Sequence, residues 1–153
     1  MPTSFELDPM MMREIIMDHY SSPRHKTTPP ENQGYQEIHT FGVNCIDDFN
    51  LYLKAENDKI IDACWEGVAC TISTASTDIL CDRAIGMSFK DALYMIEQYM
   101  LMIEMKEFDD SVLDEAIVFM NTGKQAARIH CATMGWTALK ELLEKDHDHH
   151  EGK

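Results

Sequence analysis

Between residues 49 and 66 the chain alternates apolar and polar positions. Phe49, Leu51, Leu53 and Ala55 are interleaved with Asn50, Tyr52 and Lys54, the period-two pattern of a half-buried strand. Glu56-Asn57-Asp58-Lys59 reads as a turn. Beyond it Ile61, Ala63 and Trp65 alternate with Asp62, Cys64 and Glu66, which predicts the return strand of a hairpin with Ile61, Ala63 and Trp65 on its buried face. A further strand, roughly Tyr35 to Phe41, precedes the hairpin with a weaker pattern.

On both sides of the hairpin the period changes to that of a helix. Upstream, Asp8 can cap a helix whose first position suits Pro9, and Met12, Ile15, Ile16 and His19 recur at helical spacing until Ser21-Ser22-Pro23 ends it. Residues 24–34, with two prolines and a glycine, read as a loop. Downstream of Gly67, residues 71–85 carry Ile72, Ala75, Ile79 and Leu80 on one side and end near Gly86. Ser88 with Asp91 resembles a capping box, followed by a stripe of Ala92, Ile96, Tyr99 and Ile103. The methionines around 95–105 read as core residues of that helix. A short acidic helix is expected around 111–120. A last helix, from about Lys124 to Lys145, places Ala127, Cys131, Met134, Ala138 and Leu142 on one face.

Helix, strands, then helices is the order of an α+β fold: a small antiparallel sheet with helices packed on one face. The 153 residues suit one hydrophobic core, so residues 1–145 are expected to form a single domain. Residues 146–153 (DHDHHEGK) are expected to be a polar, disordered tail. Histidines in such a tail (His147, His149 and His150) bind metals adventitiously.

Charge narrows the partners. Thirteen basic against 27 acidic side chains give a net charge of −14. Such a surface repels phosphate backbones and anionic lipid, which argues against nucleic acid and membrane and for a cation or a protein with a basic patch. No apolar run approaches the roughly 20 residues that span a bilayer, and the N-terminus shows no basic segment followed by an apolar one. A cytoplasmic location is therefore expected. An odd set of five cysteines (45, 64, 70, 81 and 131) in a reducing compartment points to metal or thiol chemistry instead of disulfides. There is no glycine-rich phosphate loop and no identifiable Ser-His-Asp set.

On this map Cys45 and Asp47 fall in the turn entering a strand, where alternate residues share a face. Cys70 begins the helix of residues 71–85, where backbone dipoles favour a thiolate. Cys131 lies early in the last helix. Three thiolates and one carboxylate make a tetrahedral set that suits zinc and equally an iron–sulfur centre. Spacing leaves this open, because no CxxC pair exists and free cysteines are common in cores. Cys64 and Cys81 read as such ordinary cysteines.

Four ordered motifs carry a resemblance. Ile16-Met17-Asp18-His19-Tyr20-Ser21-Ser22-Pro23-Arg24-His25-Lys26 resembles the opening of the U-type iron–sulfur cluster assembly proteins, the NifU-like N-terminal family with its SufU and IscU branches. Asn44-Cys45-Ile46-Asp47, Gly67-Val68-Ala69-Cys70-Thr71-Ile72-Ser73-Thr74-Ala75-Ser76 and Ala127-Arg128-Ile129-His130-Cys131-Ala132-Thr133 agree in order and rough spacing, so the similarity covers about residues 12–145. The acidic stretch between Tyr99 and Gly123 and the Ala-Arg-Ile before the last motif look like the SufU branch, whereas His130 looks like the IscU branch. Ile46 and Ala69 stand where the family usually has glycine, and Gln125-Ala126 replace an expected proline.

The resemblance implies a three-stranded antiparallel sheet with helices on one face, and a zinc ion or transient [2Fe-2S] cluster on Cys45, Asp47, Cys70 and Cys131. It implies that sulfur is accepted from a pyridoxal-phosphate cysteine desulfurase and passed to downstream iron–sulfur assembly proteins. Cys45, on a turn, is the expected sulfur acceptor, with Arg128 in support. A cluster scaffold, with Cys45, Cys70, Cys131 and His130 as ligands, is the second reading. A zinc-stapled, non-catalytic adaptor is the third.

Overall fold

The computed structural model describes residues 8–43 and 45–151, with side chains described as far as Lys145. Asp8 caps helix α1 (Pro9–Ser21), its carboxylate accepting the Met11 N–H at 2.8 Å. Three strands follow, β1 (Gln36–Phe41), β2 (Asp48–Glu56) and β3 (Lys59–Val68). They form one antiparallel sheet in the order β1-β2-β3. Asn57 and Asp58, both in the left-handed region (φ 51° and 58°), make the two-residue turn between β2 and β3. Such turns match the right-handed twist of the flanking strands, and Asn and Asp tolerate the conformation.

The hairpin buries Phe49, Leu51 and Leu53 of β2, as the alternation predicts. On β3 the prediction fails at one place. Lys54 pairs with Asp62 but Ala55 pairs with Ile60, so a β-bulge leaves Ile61 without a partner on β2. Ile60 is consequently in the core at 0% exposure, and Ile61 faces out at 43%. An extra residue in one strand reverses the facing of everything beyond it, which a strict period of two cannot anticipate.

The remaining helices are α2 (Thr71–Ala84), α3 (Phe89–Ile103) and α4 (Ala126–Glu151). Ser88 caps α3 by accepting the Asp91 N–H, and Ala92, Ile96, Tyr99 and Ile103 are buried as the stripe predicts. Helices α2 and α4 pack on the sheet and on each other, α1 lies against α2, and α3 lies against α4. The result is the expected α+β architecture. At the α2–α4 crossing Gly135 has no room for a side chain, since a Cβ would stand 2.6 Å from Thr77 Oγ1.

Several boundaries differ from the pattern. The expected acidic helix at 111–120 is instead a run of 3-10 turns at Asp110–Val112, Asp114–Phe119 and Thr122–Lys124. Met95 and Met102 are core residues, but Met105 lies beyond α3, exposed and with φ 63°. Ala127 is exposed, unlike the other members of its predicted face. The helical backbone of α4 continues past Lys145 to Glu151, while the tail's side chains, and residues 152–153 altogether, lie outside the described residues. No helix among the described residues is long and apolar enough to cross a membrane.

A polar cluster locks the first helix to this frame. His19, 2% exposed, bonds through Nδ1 to Asp78 at 2.8 Å and through Nε2 to Glu115 at 2.9 Å. With a carboxylate at each nitrogen, both nitrogens act as donors only in the imidazolium form. Asp78 also accepts the Arg24 and His25 amides, and residues 25–27 run along β3, bonding to Trp65. That segment covers a sheet edge that would otherwise present unpaired backbone.

Candidate metal centre

The site sits at one end of the β2–β3 hairpin. Between β1 and β2 the chain reverses through a short loop closed by the Gly42 N–H to Asp47 carbonyl bond at 2.9 Å. Asp48 pairs with Val68, so Asp47, one residue outside that pair, and Cys70, two residues outside it on the other strand, meet at the hairpin's open end. Helix α4 supplies Cys131 from its second turn, and its position is held by the core beneath. Ser76 donates to the Ala132 carbonyl at 2.6 Å, Trp136 Nε1 donates to Ser76 at 2.9 Å, and the Tyr99 and Trp136 rings stack at 3.6 Å.

Asp47 is the centre of the arrangement and is 1% exposed. Its Oδ1 accepts the Cys70 N–H at 2.7 Å, and its Oδ2 accepts the Ser73 hydroxyl at 2.5 Å. Cys45 Sγ lies 3.4 Å and Cys70 Sγ 3.8 Å from Oδ2. Donor atoms of Cys45, Asp47 and Cys131 all fall within 4.8 Å of one another. The fold thus gathers three of the four sequence-predicted ligands into one tight group. Cys70 stands at its edge, acting as the N-cap of α2 by accepting the Ser73 N–H at 3.4 Å.

The electrostatics are those of a crowded acidic site. Burial pushes the Asp47 carboxyl up, but hydrogen bonds from Ser73, the Cys70 amide and the Cys131 and Cys45 thiols outweigh it and hold Asp47 below the usual carboxylate range. The Cys131 thiol is pushed up to about 12, first by burial and then by Cys70 and Asp47 beside it. A second anion next to a buried carboxylate is unfavourable unless a cation compensates it.

The donor set fits such a cation. A thiolate about 2.3 Å and a carboxylate oxygen about 2.0 Å from a tetrahedral zinc stand about 3.5 Å apart, close to the 3.4 and 3.8 Å from Asp47 Oδ2 to the Cys45 and Cys70 sulfurs. Asp47 arrives with its orientation set by Ser73 and the α2 amide, the kind of support that aligns a metal ligand. His130 is exposed on α4 and shares a recess of about 300 Å³ with Val43, Cys45, Ala127 and Cys131. Arg128 is exposed at the start of α4 and lines a different groove. Cys64 and Cys81 are buried, and burial holds both thiols above their ordinary value (Cys64 up to about 11). Asn44 of the Cys45 motif lies outside the described residues.

Two contributors escape a search for ligands by residue type. Ser73 links Asp47 to α2 and also lies 3.1 Å from the Cys131 carbonyl. Its signal was positional: three residues after an N-cap is where the capped amide sits. Gly42 has no such signal. A Cβ built there would fall 2.0 Å from Cys45 Sγ, so the glycine's bare face is where the thiol rests.

A small antiparallel sheet backed by helices, with thiols and one oriented carboxylate converging at the loop–helix junction, defines an α+β domain with a candidate thiolate–carboxylate metal site. The chain belongs to the NifU-like N terminal domain family, which matches residues 11–150. It is 33% identical over 137 residues to the zinc-dependent sulfurtransferase SufU of Bacillus subtilis (strain 168), covering 89% of this chain and 91% of that one. It is 30% identical over 136 residues to the iron–sulfur cluster assembly scaffold protein IscU of Thermotoga maritima, covering 89% and 94%. A crystal structure from Fervidobacterium islandicum AW-1, described as an iron–sulfur cluster assembly scaffold protein for the SUF system, superposes with a TM-score of 0.78 at 31% identity, over 85% of this chain and 94% of that one.

Proposed function

We propose that this chain binds one zinc ion through Cys45, Asp47, Cys70 and Cys131 and acts as a sulfur acceptor in iron–sulfur cluster assembly, taking sulfur from the persulfide of a pyridoxal-phosphate cysteine desulfurase. The observation that carries the reading is the convergence of Cys45, Asp47 and Cys131 within 4.8 Å around an aspartate already oriented by Ser73 and the Cys70 amide. The kinship with a zinc-dependent sulfurtransferase supports it. Bound zinc would stabilise its cysteine ligands as thiolates at neutral pH.

The chain's own residues divide the work. Cys45 is exposed on a turn, so its side chain can meet a partner at little structural cost, whereas Cys70 is tied to the start of α2 and Cys131 to α4. The Cys45 thiolate attacks the outer sulfur of the partner's persulfide. The sulfur–sulfur bond breaks, the partner's cysteine leaves as a thiolate, and Cys45 carries the new persulfide, with no net oxidant consumed. Asp47 stays anchored through both oxygens while Cys45 moves.

The test is metal analysis of protein purified without oxygen, followed by mass spectrometry after incubation with a cysteine desulfurase and cysteine. About one zinc per chain, lost in Asp47→Ala, and one added sulfur on Cys45 are expected. Zinc without sulfur on Cys45, and with desulfurase turnover unchanged, would sink sulfur transfer and leave a zinc-stapled adaptor. A cluster scaffold is the second reading, favoured by His130 sharing a recess with Cys45 and Cys131. Iron and acid-labile sulfide in place of zinc would move the assignment there.

A further inference from the structure

A groove of about 330 Å³ runs between α1, the start of α2, the 3-10 segment and the start of α4. Met12, Ile16, Met17, Ile72 and Val118 form its apolar wall. Arg13 enters it from α1 and Arg128 from α4, and the other described residues around it are uncharged. The chain has 27 acidic side chains, and none of those on the described residues lines this groove.

The two arginines are also set apart from the others. The chain has four. Arg24 is paired with Asp18, and Arg83 with Asp114 at 3.2 Å. Neither Arg13 nor Arg128 has an ion pair among the described residues, although acidic side chains outnumber basic ones two to one. Two unpaired guanidiniums converging on one apolar trough are a site for carboxylates, which guanidinium binds through paired hydrogen bonds.

We propose that this groove docks an acidic segment of a partner protein, in which an apolar side chain flanked by carboxylates lies in the trough and the carboxylates reach Arg13 and Arg128. The shape favours a chain segment. The wall follows α1 from Pro9 to Met17, about 12 Å of helix at 1.5 Å per residue, which suits an extended peptide. Methionine supplies an adaptable apolar surface for such a guest. Elsewhere the net charge of −14 repels an acidic segment, so the groove sets both its location and its register. Thr71 follows Cys70 directly and Arg128 lies one turn before Cys131, so a segment docked here brings its owner to the edge of the thiol site. The inference rests on the groove alone and not on which metal the thiols hold.

The test is a nuclear magnetic resonance titration of the full, isotope-labelled protein with two synthetic peptides, acetyl-Asp-Leu-Glu-Leu-amide and its uncharged counterpart acetyl-Asn-Leu-Gln-Leu-amide. The acidic peptide is expected to give saturable shifts at the amides of Arg13, Ile16, Ile72 and Arg128. Arg13→Gln or Arg128→Gln should each weaken it by roughly two- to fivefold, and raised salt should weaken it further. Arg13→Glu with Arg128→Glu should abolish it. Equal binding of the neutral peptide, shifts centred elsewhere, or no saturable shift would each overturn the proposal. Both arginines are exposed, so the variants are expected to fold, which the amide spectrum itself reports.

Discussion

The Ser73 hydroxyl lies 2.5 Å from Asp47 Oδ2, joining the first turn of α2 to the only carboxylate among the gathered ligands. Asp47 is therefore aimed by a residue that is not itself a predicted ligand. Ser73→Ala removes that bond and leaves the carboxylate held by the Cys70 amide and the neighbouring thiols. Supporting residues of this kind typically contribute 10- to 100-fold in metal affinity, so zinc retention against a chelator should fall by about that factor. The fold should lose only about 1 kcal/mol. Unchanged zinc affinity in the variant would show that Asp47 needs no such support.

Gly42 tests the position of Cys45 without altering a donor atom. Its Cβ would occupy the place of the Cys45 thiol, so Gly42→Ala must swing that thiol away from Asp47 and Cys131. Faster alkylation of Cys45 and weaker metal retention are expected together, with thermal stability in the presence of chelator near that of the wild type. Alkylation at the wild-type rate would mean that the loop relaxes around the methyl group.

The His19 cluster predicts a pH dependence whose sign is fixed by its partners. Burial lowers the His19 pKa, but the hydrogen bonds His19 donates to Asp78 and Glu115 outweigh burial and raise it above 6.5. The stabilisation by the charged ring is fully present below that ordinary value and is lost as pH rises through the raised one. For Asp78 burial acts upward, while the bonds from His19 and from the Arg24 and His25 amides prevail and lower its pKa from 3.8. Its contribution is present above 3.8 and is lost as pH falls through the lowered value. Thermal unfolding across pH should show the advantage of wild type over His19→Gln largest on the acid side of 6.5, between those two losses, and shrinking as pH rises. A constant gap from acid to alkaline pH would contradict a charged His19.

The bulge in β3 gives a paired prediction. Ile60→Ala opens a cavity under the sheet and should cost about 2–5 kcal/mol. Ile61→Lys changes an exposed position and should stay within about 0.5 kcal/mol. Chemical denaturation of the two variants compares them directly, and equal losses would place Ile61 in the core after all.

Much of this molecule was legible one residue at a time. Asp8, Pro9 and Ser88 declare their helix starts because capping and the missing proline N–H are local chemistry, decided within a turn of backbone. Phe49, Leu51 and Leu53 declare a buried face because a strand's alternation is also local. The resemblance carried by the four motifs implied Cys45, Asp47, Cys70 and Cys131 as a candidate set, and the chain's family membership agrees with the motifs.

Tertiary structure decided the rest. Ile61 changed sides because a bulge is a property of two paired strands, and its own neighbours in sequence carry no trace of it. His19 looked like one more position on an apolar stripe. Only the approach of Asp78 and Glu115, 59 and 96 residues away, makes it a charged, buried tie. The same holds for Ser73, Gly42 and the Arg13–Arg128 groove, whose roles come from atoms brought together by packing of α1, α2 and α4 around the sheet. The sequence by itself determined the elements and the candidate ligands, because propensity and donor chemistry belong to single residues. Distance between remote residues determined how those ligands are aimed, since hydrogen bonds and ion pairs exist only over a few ångströms of space.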